Sequence, residues 1–241
     1  MDLGHSALHL STDYGIYVYM EVSVLEAAAI MNVSPRRVRE LVREQRIPGR
    51  RVGGAWLVDA GGVRPTRGRL PRPMSARNAW ALAQLVEGAS LEHLSPSERW
   101  RLREMRNALV HRDNPEQVLE AWLRKRADRV LRAASDLARL RDDPRLVPTG
   151  VSDPRSQMAA AQLLEAYVHT ADVNDLQLDH LLVPANVADA NLVLHVVDEP
   201  AHMPSGPAPR LALAADLAEW GSWRESNRAR EIIEAAAGSG S

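Results

Sequence analysis

The stretch from Ser23 to Val58, SVLEAAAIMNVSPRRVRELVREQRIPGRRVGGAWLV, constrains the fold more than any other part of the chain. It reads as two short helices separated by a sharp turn and followed by a hairpin. Ser23 with Glu26 three residues on has the pattern of a capping box, which satisfies free amides at a helix start. From Val24 to Met31, Leu25, Ala28, Ala29 and Ile30 fall near the i, i+3, i+4 spacing of an amphipathic helix. Asn32 ends that helix, because Asn tolerates left-handed backbone angles, and Val33 fills the corner. Ser34 and Pro35 begin a second helix as N-cap and first residue. Between Pro35 and Gln45, Val38, Leu41 and Val42 form one apolar stripe, with Arg36, Arg37, Arg39 and Arg43 largely off it. Ile47-Pro48-Gly49 makes a turn, and Arg50, Arg51 and Val52 then pair through Gly53-Gly54 with Ala55 to Val58, since a two-residue Gly-Gly loop suits a tight hairpin.

In this order the signals resemble a helix-turn-helix with a β-wing. Such folds read duplex DNA with the first residues of the second helix, where an Arg can fork onto guanine O6 and N7. The resemblance implies that Ser34, Arg36 and Arg37 lie nearest the bases and that Arg39 and Arg43 meet phosphates. It places Arg50 and Arg51, at the base of the wing, on the DNA backbone, with Trp56 near a sugar-phosphate edge. The competing reading of an arginine-rich helix is an ordinary solvated face. From Ser23 to about Val63 the pattern is similar to the excisionase-like branch of the MerR winged-helix proteins, which includes recombination directionality factors and repressors alike.

The charge distribution agrees with a DNA-binding head. Residues 34–72 carry eleven arginines against three acids, a net of +8, whereas residues 146–241 carry five basic groups against thirteen acidic, a net of −8. The basic block coincides with the second helix, wing and following linker, as phosphate binding requires. The acidic third repels DNA and is expected to face away from it or to face a protein. Lys125 is the one lysine among thirty basic residues, a skew that also follows from a GC-rich genome. With no cysteine, disulfides and thiolate metal sites are excluded. The absence of a long apolar run or a leader pattern leads to the expectation of a cytoplasmic protein with no membrane partner.

Residues 1–19 read as a loosely attached N-terminal extension and residues 20–63 as the winged helix-turn-helix. Residues 64–73 form a basic linker, within the Gly-, Pro- and Arg-rich run 61–73, which is either a spacer or an arm along DNA. Residues 74–145 read as helical, with starts at Ser75, at Ser95-Pro96 and at Asn114-Pro115 and a break at Asp142-Asp143-Pro144. Residues 146–237 read as a small α+β domain: a helix from Pro154 to Tyr167, a strand in NLVLHVV (191–197) and helices in LALAADLA and Ser222 to Ala236, before a tail at 238–241. The expected fold class is therefore α+β, mostly helical. From Pro73 to Ala236, the phrases RPMSARNAWALAQL, LSPSERWRLREM, DLARLRDDPRLVPTGVS, ANLVLHVV and LALAADLAEWGSWRESNRAREIIE resemble actinobacterial regulators classed near the AbiEi antitoxins. That resemblance implies repression of the protein's own operon and a functional link to a nucleotidyltransferase-type toxin, without required contact between the two.

One motif points to catalysis. Arg106 and His111, in RNALVH, have the RNxxxH form of HEPN ribonucleases, whose Arg and His attack an RNA backbone. Asn114-Pro115 cuts the helix just beyond it, and an Arg and a His often fall at this spacing by chance. His195, Asp198, Glu199 and His202 are close in sequence, but they straddle a strand end and a loop, so no metal site is expected. No cofactor motif is present, and the chain reads as a binding protein, not an enzyme. The sequence supports a DNA-binding repressor of the antitoxin type with a homodimer as the expected form. A HEPN-like ribonuclease and an excisionase-type directionality factor are the alternatives.

Overall fold

The computed structural model describes residues 21–31, 33–44, 46–59 and 70–238. The N-terminal extension, Asn32, Gln45, most of the expected linker and the final three residues lie outside them. The chain divides into two compact units, Met1–Pro65 and Thr66–Ser241, and the fold class is α+β, mostly helical.

The first unit runs β1 (Glu21–Ser23), α1 (Val24–Met31), α2 (Pro35–Arg43), β2 (Gly49–Val52) and β3 (Ala55–Asp59). Its antiparallel sheet has the order β1-β3-β2. Ser23 and Glu26 form the expected box, Ser23 N donating to Glu26 Oε2 at 2.7 Å and Glu26 N to Ser23 Oγ at 3.2 Å. That box holds the Glu26 carboxyl below its ordinary pKa, chiefly through the backbone bond from Ser23. Val33 closes the turn, its amide bonded to the Ala28 carbonyl at 3.0 Å. The apolar stripe of α1 differs from the expected one. Val24, Ala27, Ala28 and Met31 are buried, and Leu25 is 69% exposed. The strand β1 preceding α1 sets that register, and the four inward residues keep the i, i+3, i+4, i+7 spacing. They meet Val38, Leu41 and Val42 of α2 and Val58 of β3 in one small core. Burying Val38 or Val58 fully contributes about 1.5–3 kcal/mol each.

The second unit opens with three helices, α3 (Ala76–Leu85), α4 (Pro96–Leu109) and α5 (Pro115–Leu123). It continues with β4 (Asp128–Ala133), α6 (Leu137–Arg141), β5 (Val147–Pro148), β6 (Leu164–His169), α7 (Val173–Asp179), β7 (Val183–Pro184) and β8 (Leu192–Val197), and ends with α8 (Arg210–Trp220) and α9 (Trp223–Gly238). The five strands lie in the order β5-β6-β8-β4-β7, with β6 and β8 parallel at the centre and antiparallel neighbours outside. Ser95 starts α4 with a full capping box closed by Glu98. Leu211, Leu213, Leu217 and the alanines of α8 are fully or nearly fully buried against α3, α5 and α9 in the larger core.

Two expectations change here. The helix expected from Pro154 to Tyr167 is a short 3-10 turn at Pro154–Ser156 followed by strand β6. Every residue of Leu164–Val168 is buried. A strand covered on both faces loses the alternation that marks a strand in sequence, so periodicity could not separate it from a helix. The stretch 74–145, expected to be helical throughout, contains β4, which pairs with β8 over Asp128 to Arg132. Residues on both sides of position 145 also share one core: Trp80, Leu119 and Leu123 pack with Tyr167, Val197 and Leu213.

Candidate nucleic-acid interface

Helix α2 is anchored on one side and open on the other. Ser34 caps it, its Oγ accepting from Arg37 N at 3.2 Å, so this hydroxyl keeps its own proton and one lone pair to offer a ligand. With Val38, Leu41 and Val42 buried in the head core, the opposite side presents Arg36, Arg39, Glu40 and Arg43. These four are not equivalent. Arg36 Nε pairs with Glu40 Oε1 at 3.1 Å and Arg37 Nη1 with Glu40 Oε2 at 3.3 Å, and Glu44 lies 3.9 Å from Arg37. The Glu40 carboxyl is held below its ordinary pKa, first by the Arg36 hydrogen bond and then by that of Arg37. Arg39 and Arg43 are exposed and have neither a hydrogen-bond partner nor an ion-pair partner among the described residues.

The wing forms in the register read from sequence, with Arg51 opposite Trp56 and Val52 opposite Ala55. Gly53 and Gly54 take φ of 54° and 89°, left-handed angles that suit a two-residue hairpin turn. At the wing's root Gly49 lies so close to α2 that a Cβ there would sit 2.9 Å from the Leu57 carbonyl and 3.0 Å from Val42 Cγ1. The wing and α2 are thus held at a fixed separation. Arg50 forks onto Glu21, Nε to Oε1 at 2.6 Å and Nη2 to Oε2 at 2.8 Å, and that hydrogen bonding raises its pKa. Arg51 Nε bonds the Gly54 carbonyl at 3.2 Å, and its charge has no carboxylate partner among the described residues. Trp56 packs half-buried on the head core.

Reasoning from sequence singled out the arginines but not the acids that hold them. Glu40 stands four residues after Arg36 and three after Arg37, a spacing legible on any helix. Glu21 lies 29 residues before Arg50, and only strand β1 beside β3 brings it there.

The remaining candidates lie in the second unit. Arg106 is on α4, its guanidinium bonded to Asn107 Oδ1 at 3.1 and 2.9 Å, while His111 lies exposed in the turn after the helix has ended at Leu109. No hydrogen bond joins the two among the described residues. Of the four histidines and acids near residue 200, His195 points into the sheet's core, Asp198 and Glu199 are exposed, and His202 is half-buried and stacks on Trp80 at 6.3 Å. Burial lowers the His202 pKa.

His195 instead joins a buried network that sequence did not disclose. Its Nε2 lies 2.9 Å from Glu165 Oε1 and 3.6 Å from Asp216 Oδ1, all three side chains at most 1% exposed. Arg126, also buried, donates to Asp216, to Glu219 Oε1 at 2.8 Å and to the Tyr167 hydroxyl at 2.8 Å. Thr149 and Tyr167 donate to the other Asp216 oxygen. His195, Asp216 and Glu219 bring one ligand atom each within 4.8 Å of one another. The Arg126 guanidinium already satisfies both carboxylates, so the cluster is an ion-pair node. Burial raises a carboxyl pKa, but the Arg126 charge overcomes it at Glu219 and the net direction is down.

Among the described residues, no helix is long and apolar enough to cross a membrane. A family model described as a helix-turn-helix domain matches residues 22–61. No curated protein matches the chain, and no solved structure does. The matched span takes in α1, α2 and the whole wing, and the chain therefore carries a DNA-binding helix-turn-helix domain at this position.

Proposed function

From that domain we propose that the protein is a sequence-specific repressor of transcription that grips duplex DNA with α2 and the β2–β3 wing. The observation that carries the reading is the pair Arg39 and Arg43, four residues apart on the second helix of a helix-turn-helix and without a carboxylate partner among the described residues. Unpaired guanidiniums on such a helix are poised to replace phosphate counterions. The N-terminal turn, Ser34, Arg36 and Arg37, is assigned to base edges, and Arg39, Arg43 and Arg51 to the backbone. Arg50 is shared with Glu21 and sets the wing's root as well as meeting phosphate.

The finer reading is an autoregulating antitoxin acting in the cytoplasm. Its support is the resemblance of residues 73–236 to antitoxin regulators, which implies that the repressed promoter is the protein's own. On this reading the protein binds and does not catalyse, and a homodimer would match a twofold operator.

Selection of duplexes from a random pool tests the first statement: one enriched motif is expected, and an unenriched pool sinks it. Arg37→Ala should then weaken binding to that motif by about 1–3 kcal/mol and relax one position, while Arg51→Ala weakens all duplexes alike. A reporter driven by the protein's own promoter tests autoregulation, with repression lost in the Arg39→Ala/Arg43→Ala double variant.

A further inference from the structure

The segment from Arg99 to Arg112, which is most of α4 and the turn after it, is a cluster of the second unit whose charge the described residues leave unpaired. It holds five arginines against a single acid, Glu104, a net of +4 with His111 neutral. Elsewhere in this unit, among the described residues, nine arginines pair with carboxylates, Arg77, Arg124, Arg126, Arg129, Arg145, Arg155, Arg210, Arg228 and Arg230, and five that do not, Arg72, Arg132, Arg139, Arg141 and Arg224, are scattered along the chain. Not one of the five on this segment pairs with a carboxylate among the described residues. Arg99 and Arg106 reach only neutral oxygens, those of Leu91 and Asn107, and Arg101, Arg103 and Arg112 reach nothing.

The helix's own geometry arranges these charges. Leu102 and Leu109 are buried and fix the inner face of α4. At 3.6 residues per turn, Arg101 then falls along one flank and Arg99, Arg103 and Arg106 along the other, while Arg112 lies in the bend beyond the helix end. The strip between the two flanks carries Trp100, which is 64% exposed, and Glu104. A large indole left in water between guanidiniums that no carboxylate neutralises is a poor surface for a solitary helix. It is complementary to a polyanion with flat sugar faces.

We propose that α4 is a second phosphate-binding element, which engages the sugar-phosphate backbone of duplex DNA. The inference rests on the DNA-binding reading above. It assigns Arg101, Arg103 and Arg112 to phosphates and Trp100 to deoxyribose. It also accounts for Arg106 and His111 without catalysis, as members of a basic segment. The element adds affinity and salt dependence but no sequence choice, because phosphates are alike at every base pair.

The test uses the full chain carrying Arg101→Ala, Arg103→Ala and Arg112→Ala together, titrated with duplex DNA across a range of salt. Each phosphate that the variant no longer neutralises flattens the slope of log K against log salt by about 0.9, and near 0.1 M salt it removes about tenfold in affinity. The expected result is a slope shallower by one to nearly three such steps, with an unchanged ratio of selected to random duplex. The matching Arg→Lys triple variant, which keeps the charge, should restore the slope. An unaltered thermal melt is expected, since all three side chains are exposed. A wild-type chain that binds duplex with the same slope as the alanine variant overturns this inference alone. Tighter binding of the wild type to single-stranded than to duplex DNA also overturns it. A wild-type chain that ignores duplex DNA removes the helix-turn-helix reading together with it.

Discussion

Arginine does opposite work in the two units. In the head, Val38, Leu41, Val42 and Val58 make a core with no polar member, and the guanidiniums of Arg39 and Arg43 stand in solvent. In the second unit Arg126 is 2% exposed and sits among Asp216, Glu219 and Tyr167, and Arg155 and Arg228 are tied to Asp153 and to main-chain carbonyls. A count of basic residues therefore says little about nucleic acid by itself. An exposed arginine for which the described residues supply no carboxylate, such as Arg39 or Arg43, keeps its whole charge for a ligand, whereas Arg36, Arg37 and Arg50 share theirs with Glu40 and Glu21. On that criterion α4 belongs with the head, although its chain neighbours do not.

The comparison breaks most visibly at Arg126. Arg126→Met removes the buried cation and leaves Asp216 and Glu219 facing each other, so denaturant unfolding should show a loss of about 3–5 kcal/mol. A smaller loss accompanied by weaker DNA binding would mean that this arginine is not structural. The Tyr167 hydroxyl, pushed up to about 12 chiefly by burial, gives the next effect. Because the folded-state value lies above the ordinary 10, its contribution is whole below pH 10 and is lost as pH rises toward 12. Thermal melts across that window should lose about 2–3 kcal/mol, and Tyr167→Phe should remove most of the dependence. At the head the sign of the experiment reverses. Arg39→Ala should weaken DNA binding by about 1–3 kcal/mol and leave the unfolding midpoint where it was. A shift in the midpoint instead would place Arg39 with the structural arginines.

The same contrast explains what was legible in the sequence. Ser23, Glu26, Ser34, Pro35 and the Gly53-Gly54 turn act on backbone within a few residues, so the head's helices and wing could be read directly, and only the one-residue shift at Leu25 escaped. That shift depends on β1, a three-residue strand that exists through its pairing with β3. In the second unit Leu192–Val197 was readable as a strand because its β-branched run is bounded by Asp198-Glu199-Pro200, whereas Leu164–His169 was not. Its glutamate, tyrosine and histidine look like helix surface until Glu165 and Tyr167 are seen to meet His195, Trp220 and Asp216 inside. Buried polar partners 30 to 90 residues apart leave no local trace. The arginines of the interface were legible as residue types, but the roles of Arg36 and Arg37 depend on Glu40, which the helical spacing offered and charge counting passed over.

Glu40 gives the smallest expected effect and the sharpest use of the comparison. It is the one acid on the outward side of α2, and it bonds Arg36 and Arg37 in the free protein. A carboxylate so placed lies where phosphates or base edges would approach, so it opposes any duplex that does not compensate for it. Glu40→Gln keeps the shape and the helix but removes the charge. Random duplex should then bind more tightly, with a salt slope steeper by up to about 0.9, and the selected motif should gain less, so that the ratio between them narrows. If the selected motif instead loses affinity while random duplex does not, Glu40 itself accepts from a base, as a glutamate does from cytosine N4. If neither changes, the ion pairs are incidental surface contacts and the distinction between bound and free arginines does not extend to α2.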